Sequence, residues 1–170
     1  MRELSFKNDI LPLKDKLFRL ALRITSDRAE AEDIVQETLI RVWSKRDEWG
    51  EMDSIEAYSL TVARNLAIDR SQRKEARNLE LTPGMAEAAA DSDEPQARLE
   101  HAEKMVLIDR LMNELPEKQR LIMQLRDIEG ESYKRIAHVL NLTEEQVKVY
   151  LFRARQKVRQ GFLKIDEYGL

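Results

Sequence analysis

Lys148, Arg153, Arg155, Lys157 and Arg159 fall inside one stretch, VKVYLFRARQKVRQ, from Val147 to Gln160, and no acid stands among them. The 170-residue chain carries a net charge of -3, so this excess belongs to one surface and not to the protein as a whole. Guanidinium and ammonium groups at that density suit phosphate binding, because local charge is what a nucleic-acid backbone meets. The segment is preceded and opened by Glu144, Glu145, Gln146, Lys148 and Val149. Gln pairs with adenine, Lys with guanine, and Glu accepts from cytosine N4. Residue types that read base edges therefore come first, and residue types that hold phosphates follow.

A second basic run contains Arg64, Arg70, Arg73, Lys74 and Arg77, with Asn65 among them but no aromatic. Trp49 and Tyr58 lie upstream and could stack on an unpaired base. The plainer alternatives are core packing for Tyr58 and loop capping for Trp49. Asp33, Gln36 and Glu37 are either a polar docking surface or an exposed helix face. Acid–base catalysis by these carboxylates lacks a neighbouring nucleophile, pocket signal or metal partner. His101 has no ligand-spaced partner, and His138 lies beside an apolar stripe and reads as structural. There is no Gly-rich phosphate loop. The chain has no cysteine, which excludes disulfides and thiolate metal sites. Neither enzymatic activity nor a metal or cofactor is expected.

These residues need helices to position them. Charged residues make up 36% and apolar residues 42%, with five glycines, a balance that favours a helix-rich globular chain. No stretch approaches the roughly 20 apolar residues of a membrane span, and the N-terminal sequence lacks signal-peptide character. Membrane insertion is not expected, and a cytoplasmic location is. Between Ala76 and Glu103 stand 2 basic and 7 acidic residues. Together with Thr82-Pro83-Gly84 and Asp93-Glu94-Pro95, this marks an acidic linker between two helical halves.

In the first half, Leu17, Leu20, Ala21 and Ile24 recur at helical spacing. Thr25-Ser26-Asp27 then breaks the helix, and Ser26 or Asp27 can cap the next. Ala31, Ile34, Val35, Leu39, Val42 and Trp43 give that next helix its apolar face. Asp33, Gln36, Glu37, Arg41 and Lys45 fall largely off it. After the charged loop RDEWGEMDS, a third helix starts near Ser54 and runs to Arg77, its cations gathered at the C-terminal end where the helix dipole favours them.

In the second half, Pro116 and Gly130 bracket a helix with the expected asymmetry. Ser132 can cap a short helix through Ile136, Ala137 and Leu140. Asn141-Leu142-Thr143 makes a tight turn, and Thr143 with Gln146 has capping-box spacing. Val147, Leu151, Ala154 and Val158 then form one buried stripe beneath the positive face. A short helix, a tight turn and a longer basic helix make a helix-turn-helix pattern. From this pattern alone, the basic helix is either a DNA reader or a solvated face of a helical bundle. A free-standing helix-turn-helix regulator and a helical adaptor are the rival readings.

Three segments decide more. LFRLALRITSDRAEAEDIVQETLIRVW, AYSLTVARNLAIDR and LPEKQRLIMQLRDIEGESYKRIAHVLNLTEEQVKVYLFRARQKVR resemble, in order, the bacterial extracytoplasmic-function sigma factors of the sigma-70 family. The resemblance covers nearly the whole chain apart from the acidic linker. It implies an all-α fold of two small helical domains: a sigma-2-like bundle over 1–77 and a sigma-4-like helix-turn-helix domain over 103–170. A flexible acidic linker over 78–102 would join them. It further implies a transcription initiation factor that binds core RNA polymerase, through its largest-subunit clamp helices and its flap, and promoter DNA. An anti-sigma factor is implied as a further partner.

The resemblance assigns polymerase docking to Asp33, Gln36, Glu37 and Arg41. Minus-ten recognition and melting would fall to Arg64, Asn65, Arg70, Arg73 and Lys74, with the loop from Asp47 to Asp53, including Trp49, holding an extruded base. Minus-thirty-five recognition would fall to Gln146, Lys148, Val149, Phe152, Arg153, Arg155 and Arg159. Three positions depart from the family pattern: the acidic turn from Asn141 to Gln146, Tyr150 at a commonly polar or basic position, and Glu131 where a hydrophobic residue is frequent.

Overall fold

The structure is a computed structural model that describes residues 5–51, 54–80 and 99–167, and it contains no strand among them. A π-helical turn, Phe6–Ile10, and a 3-10 turn, Leu11–Leu13, lead into helix α1, Lys14–Thr25. Helix α2, Arg28–Ser44, follows after a turn in which Ser26 takes the left-handed conformation, φ 53°. Asp27 is the residue that caps α2: its Oδ1 accepts from the Glu30 N–H at 3.2 Å. That backbone hydrogen bond, helped by Lys74 and opposed by partial burial, holds the Asp27 carboxyl below the usual range.

After a 3-10 segment, Arg46–Glu51, comes helix α3, Ile55–Glu80. The three helices pack as a bundle around Leu17, Leu20, Ile34, Val42 and Leu60. Helix α3 meets its neighbours mainly through Ala57, Leu60, Ala63 and Ala67, all buried. The larger Tyr58, Leu66 and Ile68 stand at the edge of this contact, only partly buried. Small residues on one stripe let the helix axes approach closely, so the bulkier side chains are displaced to the flanks.

Helix α3 continues to Glu80 and α4 spans Leu99–Asn113, so both ends of the expected 78–102 linker are helical. Residues 81–98, with most of the acidic segment, lie outside the described residues. Helix α5, Glu117–Met123, starts after Pro116, and a π-helical turn, Gln124–Ile128, extends it. It stops at Gly130, whose φ of +72° is a conformation L side chains rarely adopt. Helix α6, Tyr133–Leu140, and helix α7, Glu144–Glu167, complete the chain. Helix α7 packs on α5, α6 and α4. Against α4 the approach is close: a Cβ placed on Gly161 would lie 2.6 Å from Leu111 Cδ2.

The two halves touch through α1 with α5 and α3 with α6. Polar pairs span this contact. Lys16 Nζ lies 2.5 Å from Glu131 Oε1 and also pairs with Glu56. Arg135 reaches Glu56 at 3.0 Å and Ser54 Oγ at 3.2 Å. Arg19 grips Glu129 with two hydrogen bonds of 2.7 Å. Arg23 donates to Gln124 at 2.9 Å and to Asp109 at 2.6 Å. Burial works to lower the Lys16 pKa, but hydrogen bonds to Glu131 and Glu56 prevail and raise it. Burial likewise pushes Glu56 up, and its bonds outweigh this and lower it.

The Asp27 cap gives a test of the α1–α2 joint. Its folded pKa is depressed, so its stabilisation is present above the ordinary carboxylate range and is lost as pH falls through the folded value. Asp27→Ala is expected to lower stability by about 1 kcal/mol at pH 7. The gap from the wild type should close at low pH, as read by urea unfolding across that range.

Candidate nucleic-acid interface

Helix α6 begins where the Ser132 hydroxyl accepts the Arg135 N–H at 3.1 Å. It ends at Asn141, left-handed at φ 55°. The Thr143 hydroxyl then accepts the Gln146 N–H at 3.1 Å, while Gln146 Oε1 accepts the Thr143 N–H at 2.9 Å. This reciprocal pair is the capping box read from the sequence. It commits the Gln146 side chain to the start of α7. Val147, Leu151, Ala154 and Val158 are buried at 0%, 2%, 0% and 8% exposure, which turns Lys148, Val149, Phe152, Arg153 and Arg159 outward.

Phe152 is 64% and Val149 47% exposed. Two apolar side chains therefore stand on a basic helix without cover from the described residues, the kind of contact that a thymine methyl accepts. Arg155 is also on this helix, but Asp127 holds its guanidinium through two hydrogen bonds, 3.0 and 2.5 Å. Hydrogen bonding from Asp127 raises its pKa. Lys148 Nζ lies 5.5 Å from the centre of the Tyr133 ring, and Arg126 Cζ lies 4.2 Å from it. Tyr150, noted as a departure, is half-buried and has Lys118 Nζ 5.9 Å from its ring centre.

The second basic region lies along α3. Asn65, Arg73 and Lys74 are exposed, and Arg64 is half-buried. Arg64 Nη1 donates to Asn65 Oδ1 at 3.1 Å, joining the two side chains. Arg73 pairs with Asp69 at 3.1 Å and Lys74 with Asp27 at 3.3 Å. Arg70 turns away from solvent toward α2. It meets Glu30 at 3.2 Å, Glu37 at 2.6 Å and also Asp33. Its guanidinium is thus paired with three carboxylates. Arg70, Arg73, Lys74 and Arg77 line an open groove of about 560 Å³ with Asp27, Glu30 and Asp33.

Trp49, read from the sequence as a stacking surface or a loop cap, is packed inward. It is 3% exposed, its indole N–H donates to the Val42 carbonyl at 2.9 Å, and its ring stands edge-on to Trp43 at 5.9 Å. Packed under the 3-10 segment, this ring is core and its faces are not offered to a base. Met52 and Asp53 of the same loop lie outside the described residues.

The polar face of α2 is open. Asp33, Gln36 and Arg41 are exposed, and Glu37 is half-buried between Arg41 at 2.8 Å and Arg70. Ile40, which the sequence reading left out, lies among them at 69% exposure. Positions 33, 36, 37, 40 and 41 share one helix face. An uncovered isoleucine ringed by polar groups suits a protein contact. The signal was available in the sequence, because Ile40 breaks the spacing of the apolar stripe.

Residues 10–77 match the family model for sigma-70 region 2, and residues 105–158 match that for sigma-70, region 4. The ECF RNA polymerase sigma factor SigL of Mycobacterium tuberculosis is 34% identical over 157 residues, covering 91% of this chain and 85% of that protein. This chain belongs to the ECF RNA polymerase sigma factors. It is accordingly a non-enzymatic transcription initiation factor that binds core RNA polymerase and directs it to promoter DNA. The sigma factor SigM of Bacillus subtilis is 29% identical, covering 84% of this chain and 86% of that protein. Among solved structures, the sigma factor RpoE of Bartonella quintana, in complex with the anti-sigma factor NepR, superimposes with a TM-score of 0.76 at 24% identity. That match covers 95% of this chain and 98% of the other. CnrH, in complex with the cytosolic domain of CnrY, matches with a TM-score of 0.64 at 22% identity, over 91% of this chain and 85% of that one. The all-α, region 2 and region 4 architecture expected from the sequence is the one observed. Among the described residues, no helix of this sigma factor is long and apolar enough to cross a membrane.

The division of α7 into buried and outward faces predicts a sharp contrast between neighbours. Leu151→Ala should destabilise the protein by about 2–5 kcal/mol. Phe152→Ala should stay within about 0.5 kcal/mol of wild type, both measured by denaturant unfolding.

Proposed function

We propose that the α2 face of Asp33, Gln36, Glu37, Ile40 and Arg41 docks on the clamp helices of the polymerase largest subunit. The single observation that carries this is the exposed Ile40 within a polar ring. Helix α7 reads the minus-thirty-five element in the major groove. Lys148, Val149 and Phe152 face the bases, and Arg153 and Arg159 face phosphates. The second half also meets the polymerase flap.

Minus-ten recognition and melting fall to α3, where Asn65 and Arg64 are joined and Arg73 and Lys74 border an open groove. Arg70 enters this scheme as the brace between α2 and α3, and Trp49 as the packing that shapes the loop before α3. Arg155 takes part once Asp127 releases it. The factor acts in the cytoplasm, where polymerase and promoter are found. An anti-sigma factor regulates it, a reading supported by the NepR complex of the solved relative.

Co-elution with core RNA polymerase tests the docking face. Gln36→Ala/Ile40→Ala, which leaves the Arg70 network intact, should abolish co-elution while thermal unfolding stays near wild type. Retained co-elution would overturn the docking assignment. On the DNA side, Lys148→Ala should weaken its preferred promoter by about 1–3 kcal/mol and relax base preference at one position. Arg159→Ala should weaken all promoters alike and reduce the salt dependence of binding, as read by competition among variant promoters.

A further inference from the structure

Lys148 is the first cation of α7, and it is exposed. Among the described residues no carboxylate pairs with it, whereas Asp127 holds Arg155, Asp27 holds Lys74 and three acids hold Arg70. Its ammonium lies instead 5.5 Å from the centre of the Tyr133 ring. That ring is itself held. Tyr133 opens α6 directly after the Ser132 cap and packs, partly buried, against the hydrophobic core. Arg126 also meets the ring, with Cζ 4.2 Å from its centre, and Arg126 Nη1 is tied down by donating to the Glu131 carbonyl at 2.9 Å. Tyr133 stands on the first helix of the helix-turn-helix and Lys148 on the second. The turn between them, with its Thr143–Gln146 capping box, sets their approach.

A ring and a carboxylate hold a cation in different ways. A carboxylate cancels the charge, repels nearby phosphates and must release the cation before a nucleic acid can take it. An aromatic face attracts a cation through its quadrupole and carries no net charge, so the ammonium keeps its own. A lysine is otherwise a point charge on a flexible four-carbon stem, free to swing among neighbouring base edges. Restricting that swing before binding is preorganisation, because less freedom is lost when the right base is met. On the reading of α7 given under Proposed function, on which this inference rests, we propose that Tyr133 is a positioning residue for promoter recognition. Its ring holds the Lys148 ammonium at one place beside the first turn of α7 and so selects the base edge that Lys148 meets. Arg126 fixes the ring that fixes the lysine.

Polymerase holoenzyme assembled with each variant, offered promoters that differ at single minus-thirty-five positions, provides the test. Lys148→Ala defines the position that Lys148 reads, as the one where base preference relaxes. Tyr133→Leu keeps an apolar side chain and removes the ring. It should reduce discrimination at that same position by about two- to fivefold, the weight of an exposed cation–ring contact, and leave the other positions unchanged. Tyr133→Phe should keep wild-type discrimination. Adding Tyr133→Leu to Lys148→Ala should cost nothing further at that position. In the free protein, the ring should shift the Lys148 ε-methylene protons upfield in NMR spectra of wild type and Tyr133→Phe, and not of Tyr133→Leu. A purely structural Tyr133 would instead weaken every position alike and lower the unfolding temperature, and that outcome would overturn the proposal. So would unchanged discrimination in Tyr133→Leu where Lys148→Ala relaxes one position, or absence of the upfield shift in wild type. If Lys148→Ala relaxes no position, the reading of α7 falls and the positioning role falls with it, while the NMR shift still reports whether ring and lysine meet.

Discussion

A carboxylate held at 4% exposure, as Glu131 is, has given up water and takes cations as partners in its place. One of them, Arg135, stands four residues on, in the first turn of α6. The other, Lys16, comes from 115 residues earlier in the chain. That second cation ties the two halves together at a buried site. A hydrophobic residue at position 131 would accept any apolar neighbour, because the hydrophobic effect is non-directional. An acid accepts only a surface that presents a cation at the right place, so the contact gains register along with adhesion. Arg19 with Glu129 and Arg23 with Gln124 and Asp109 repeat the match along the same helix.

The features that the sequence disclosed are those governed by local rules. The capping box at Thr143 and Gln146, the Ser132 cap, the Asn141 turn and the Val147–Val158 stripe each involve residues within a few turns of one another. Their spacing carries their geometry, and so the helix-turn-helix unit was legible down to single hydrogen bonds. The order of helices was legible for the same reason, and the matching of three motifs in sequence carried the family.

Long-range partnerships were not legible. Arg70 belongs to a basic run by composition, yet its fate is decided by Glu30, Asp33 and Glu37, some 33 to 40 residues earlier. For Trp49 the sequence left stacking and loop capping both open, and the partners that enclose it, the Val42 carbonyl and the Trp43 ring, could not be read from it. On α3, alanines rather than aromatics make the contact stripe, because interaxial distance is set by the neighbours and not by the helix itself. Glu131 was visible as a departure, but which cation would answer it was not.

Helix α7 has one further consequence. Its 24 residues make it about 36 Å long at 1.5 Å per residue, which is more than one pass of a major groove can use. Its first turns carry the outward Lys148, Val149 and Phe152, while α4, α5 and α6 pack along it and Gly161, near its end, lies close against Leu111 of α4. The helix is thus a stylus whose shaft is set in its handle. On the proposed reading of bases by the tip, the packed shaft limits how far the tip can shift on its own, because α4 approaches closely at Gly161. On that reading a misfit at the tip is passed on to the helices that hold the shaft, and fidelity at one base pair draws on the seating of α4, α5 and α6 as well as of α7.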